Sequence, residues 1–77
     1  MKLQYTYMVK EEISNEAGTV STVLGYLGSW LDAKIFMKDC IEKLSFCESQ
    51  KRWKGQNHCE ITHADGVVIT LTITKEL

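Results

Sequence analysis

Hydrophobic and polar residues alternate from Leu3 to Ile13. Leu3, Tyr5, Tyr7 and Val9 point one way, and Gln4, Thr6, Met8 and Lys10 the other. A period of two belongs to a strand with one face on a core. Ser14-Asn15-Glu16-Ala17-Gly18 is turn chemistry, because Asn and Gly tolerate positive φ. Thr19 to Leu27 is rich in β-branched residues and reads as a second strand folding back on the first.

Gly28-Ser29 interrupts that strand, and Ser29 with Asp32 three residues on is close to a capping box. At about 100° per residue, Trp30, Ala33, Phe36, Met37, Cys40, Ile41, Leu44 and Cys47 share one broad face. The spacing therefore predicts an amphipathic helix from Trp30 to Cys47. Glu48 to Gly55 reads as polar connection. A weaker strand covers His58 to His63, and Ala64-Asp65-Gly66 is a hairpin turn. In the closing strand Val67, Ile69, Leu71 and Ile73 alternate with Val68, Thr70, Thr72 and Thr74. The order is β-β-α-β-β. The fold expected is α+β, a four-stranded and mainly antiparallel sheet with one amphipathic helix packed on one face.

At 77 residues the chain holds one domain. Its hydrophobic fraction of 44% and charged fraction of 25% are those of a globular protein. A net charge of -1 argues against both a broad basic nucleic-acid footprint and an acidic nucleic-acid mimic. Polar residues within MKLQYTYMVKEE do not fit a signal peptide, and no run approaches the roughly 20 apolar residues of a membrane span. With no export signal, the expected location is a cytoplasm, the three cysteines staying reduced.

Chemistry is hard to assemble from these residues. Zinc needs four converging soft ligands, usually including a tight pair. Cys40 and Cys47 lie on the expected core face of the helix, while His58 and His63 fall on opposite faces of one strand. Thiol catalysis needs a thiolate beside a histidine or a helix N-terminus. Cys40 is mid-helix, Cys47 is at the helix C-terminus, and Cys59 points away from His58. Glu11, Glu12 and Glu16 crowd a hairpin end, as solvated carboxylates do, and no phosphate loop, G-x-S-x-G or H-E-x-x-H is present. The expectation is a protein without catalytic residues, metal or cofactor.

Two groups of residues point to binding. Lys51-Arg52-Trp53-Lys54-Gly55 combines cations with an indole, which suits phosphate pairing and base stacking, or equally a solvated connection whose Trp caps the core. Leu31, Ile35 and Phe46 align on the helix side opposite the core stripe, where polar residues belong. They suggest a partner surface or contact with a second copy. The sheet face away from the helix would present Thr6, Thr70, Thr72 and Thr74 with Gln4 and Lys10.

The run Tyr5-Thr6-Tyr7-Met8-Val9-Lys10-Glu11-Glu12, then Leu24-Gly25-Tyr26, then Asp32-Ala33-Lys34 opening a helix, resembles small phage-encoded counter-defence proteins, among them short inhibitors of type I CRISPR surveillance complexes. The resemblance follows the order of elements and carries no individual functional residue. It implies stoichiometric inhibition of bacterial anti-phage defence inside the host cytoplasm. One mechanism it allows is docking on a protein effector such as a CRISPR complex. Another is a homo-oligomeric sponge for a nucleotide immune signal, for which Arg52, Trp53 and Lys54 would be the natural suppliers. A third class, a small regulatory module of a mobile element, stays open beside these.

Overall fold

The computed structural model describes residues 6–44 and 49–76. Strand β1 spans Thr6–Asn15 and β2 Gly18–Leu27; helix α1 spans Trp30–Leu44; β3 spans Gln50–Trp53, β4 His58–Thr62 and β5 Val68–Glu76. They form a five-stranded sheet in the order β2-β1-β5-β4-β3, every neighbouring pair antiparallel. The α+β class and the single helix are as the patterning predicts. The strand count is not: Gln50–Trp53, read from sequence as connection, pairs with β4 as a fifth strand. Its residues are all exposed, so no buried face left an apolar signature to read. Leu3, Gln4, Tyr5, Phe46 and Cys47 lie outside the described residues.

The first hairpin is tighter than its sequence suggests. Asn15 pairs with Gly18, leaving Glu16-Ala17 as the turn, and the Asn15 side chain accepts the Ala17 N–H at 2.8 Å. Along β2, Val9 pairs with Gly25 but Lys10 with Val23, so Leu24 is the extra residue of a bulge. At the second hairpin Gly66 takes a φ of 91°, and Asp65 accepts the Val67 N–H at 3.1 Å.

Register explains the core. Residues directly opposite on antiparallel strands share a face. Val9 faces Ile73, Ile13 faces Ile69, Cys59 faces Leu71 and Ile61 faces Ile69. Against this surface α1 lays Ala33, Met37 and Ile41, one turn apart and all buried. Phe36, Cys40, Leu44 and Trp30 pack at the margin of the same stripe, with the Phe36 ring over Gly25. Ser29 caps the helix, its Oγ accepting the Asp32 N–H at 3.1 Å. No polar or charged residue is buried among the described residues, so burial of apolar surface carries the stability. A helix of 15 residues covers about 22 Å, whereas the molecule is 49 Å long. The far part of the first hairpin therefore extends beyond helical cover.

Candidate binding groove

β3 is an edge strand, and its alternation divides the basic-aromatic cluster. Lys51 lies opposite Ile61 and Trp53 opposite Cys59, both core residues, so Lys51 and Trp53 stand on the helix side. Arg52 lies opposite Glu60 and faces the other way. Lys54, in the loop after β3, is held by Glu60 at 2.8 Å. The four residues that sequence groups together thus do not converge.

What does converge is Trp53 with the outer side of α1. Ile35, Lys38, Asp39, Ile41 and Glu42 of the helix and Lys51 and Trp53 of β3 line one open groove of about 520 Å³. Ile35 is 59% exposed, Leu31 one turn earlier 62%, and Trp53 40%. Ile35 from one sequence candidate and Lys51 and Trp53 from the other therefore line one surface, while Leu31 is exposed outside the groove.

The Trp53 wall of the groove is fixed from the helix. The Lys34 ammonium sits 3.9 Å from the Trp53 ring centroid and 5.7 Å from that of Trp30. It also donates to the Gln56 carbonyl. The Trp30 indole N–H donates to Asn57 Oδ1 at 2.6 Å, so the β3–β4 loop is bound to the first turns of α1. Gly55, at a φ of 79°, gives that loop its reversal. Burial, and then the neighbouring Lys38, holds the Lys34 ammonium below its ordinary pKa. Trp30, Lys34 and Lys38 follow one another at four-residue spacing. That spacing was the available signal for the clamp, but next to the apolar stripe it reads as an ordinary helix flank.

The remaining candidates fall apart as sites. Burial pushes the thiols of Cys40 and Cys59 above the usual range, which disfavours a nucleophilic thiolate. His58 Nε2 approaches Glu60 at 3.6 Å, on the opposite face of β4 from Cys59. Glu11 and Glu12 point to opposite sheet faces, and Glu12 pairs with Lys10 at 3.4 Å. Among the described residues no three His, Cys, Asp or Glu gather as metal ligands would. No described helix is long and apolar enough to cross a membrane. Thr70, Thr72 and Thr74 share the open sheet face, opposite Glu12, Lys10 and Met8 of β1.

Comparison with family models, curated proteins and solved structures finds no match to this chain.

Proposed function

We propose that this protein acts without catalysis, by occupying a surface of another protein through the groove between α1 and β3. The observation that carries the reading is the meeting of Ile35 and Trp53 in one groove, flanked by Lys38 and Lys51 and by Asp39 and Glu42. Exposed apolar and aromatic anchors inside a rim of mixed charge are what a protein contact site needs. A nucleotide pocket would need cations gathered around a free indole face. Here Arg52 is turned away, Lys54 is engaged by Glu60, and Lys34 covers a face of Trp53.

The partner we propose is a protein effector of bacterial anti-phage defence, a CRISPR surveillance complex in the first instance. This choice rests on the resemblance to small phage-encoded inhibitors. The experiment is a target-DNA binding assay with a purified type I surveillance complex, titrated with wild type, Ile35→Glu, Trp53→Ala and Arg52→Ala. Wild type and Arg52→Ala should block DNA entry at stoichiometric ratio, and the two groove variants should not. Inhibition that survives both groove variants would remove the groove from the mechanism. No inhibition by wild type would remove this partner, and a ligand of nucleotide mass retained in native mass spectrometry would favour the sponge instead.

A further inference from the structure

The two edges of the sheet are protected unequally. β3, at one edge, is four residues long and carries Lys51 and Arg52. Shortness and positive charge are common guards against unwanted strand pairing. β2, at the other edge, is ten residues long and contains neither a charged residue nor a proline. Val20, Val23 and Tyr26 stand out from it at 66%, 44% and 61% exposure. The bulge at Leu24 interrupts only the second half, leaving Gly18 to Val23 a regular run. Its outer N–H and C=O groups face away from β1, and no other described strand pairs with them.

We infer that β2 receives a second copy of this chain, β2 against β2, antiparallel, so that two five-stranded sheets become one. A strand paired with itself about a two-fold axis is self-complementary, and the contact closes at a dimer. With the axis through Ser21, each Ser21 meets its own counterpart, and Val20 of one copy lies opposite Thr22 of the other. Thr19 then lies opposite Val23. Only small hydroxyl and β-branched residues meet, the pairs that stabilise neighbouring strands. Like charges, which would oppose self-pairing, cannot meet because β2 has none, and the chain's net charge of -1 adds little repulsion. A foreign strand selected by charge would find no charge on β2 to select it. Both helices come to lie on one face, and the α1–β3 grooves remain open at the two far ends of the joined sheet.

The test is the mass in solution, by native mass spectrometry and by sedimentation over a concentration series, for wild type, Ser21→Lys and Val23→Lys. Both substitutions fall on exposed β2 positions, so the fold should persist, with unchanged far-ultraviolet circular dichroism. Wild type should show twice the chain mass of 8.8 kDa, and the lysine variants the mass of a single chain. A monomeric wild type throughout the series overturns the inference, and so does a dimer that survives both lysines. A dimer broken by Leu31→Glu or Ile35→Glu instead would also overturn it. Trp53→Ala, which tests the groove, should leave the mass unchanged, so the two readings fail separately.

Discussion

Lys34 and Trp53 meet across the gap between the helix and the edge strand, the ammonium 3.9 Å from the ring centroid. With the hydrogen bonds from Lys34 to the Gln56 carbonyl and from Trp30 to Asn57 just beyond β3, this contact holds the Trp53 wall of the groove against α1. A cation over an exposed indole contributes about 0.5–1 kcal/mol. A double-mutant cycle with Lys34→Ala and Trp53→Ala, read by urea unfolding, should give a coupling energy of that order. Additive single effects would show that the pair merely sits together.

Met37 is fully buried at the centre of the helix stripe. Met37→Ala should cost about 2–5 kcal/mol, through lost burial and the cavity left behind. A small domain has little stability in reserve, so the variant should be largely unfolded at room temperature, as circular dichroism would show. A variant as stable as wild type would mean that the helix is not seated as described.

Two local devices should each matter by about 1 kcal/mol, for different reasons. Ser29→Ala removes the acceptor of the Asp32 N–H and uncaps the helix. Gly55→Ala meets no atom within 4 Å, so its whole cost, about 1–2 kcal/mol, is the left-handed backbone at a φ of 79°. Gly55→Asn should lose less, because Asn tolerates that region. Thermal midpoints of the three variants would order them, and equal losses for Ala and Asn at position 55 would refute the backbone argument.

Glu60 gives the fold an acid-sensitive tie. The hydrogen bond from Lys54 holds its carboxyl below the ordinary 4.5. A carboxylate with a lowered folded pKa contributes stability that is fully present above 4.5 and is lost as pH falls through the folded value. Unfolding midpoints measured from neutral pH downwards should fall more steeply for wild type than for Glu60→Gln. Parallel curves would mean that solvent screens the pair completely.

Strands and helix with one buried face were legible because burial imposes a period. Val67 to Ile73 and the stripe from Trp30 to Leu44 each show it, and both are where the patterning places them. β3 was not legible, since an edge strand exposed on all four residues is under no such constraint. The site suffered for the same reason. Without the strand, Lys51, Arg52, Trp53 and Lys54 look like one cluster; with it, neighbours in sequence project to opposite faces. Leu31 and Ile35 were recognisable because exposed apolar residues violate the helix pattern. The meeting of Ile35 with Trp53 depends on how the edge strand lies beside the helix, which no local pattern encodes.

The middle of the sheet is made by its first and last strands, with Thr6 opposite Glu76 and Ser14 opposite Val68. Contacts this distant along the chain close late and slow the search for the native state. During synthesis α1 emerges soon enough to cover the apolar face of β1, but the edge of β1 away from β2 must wait unpaired until β5 has left the ribosome. The hairpin of β1 and β2 can form early, but its inner edge is closed only when β5 pairs with it.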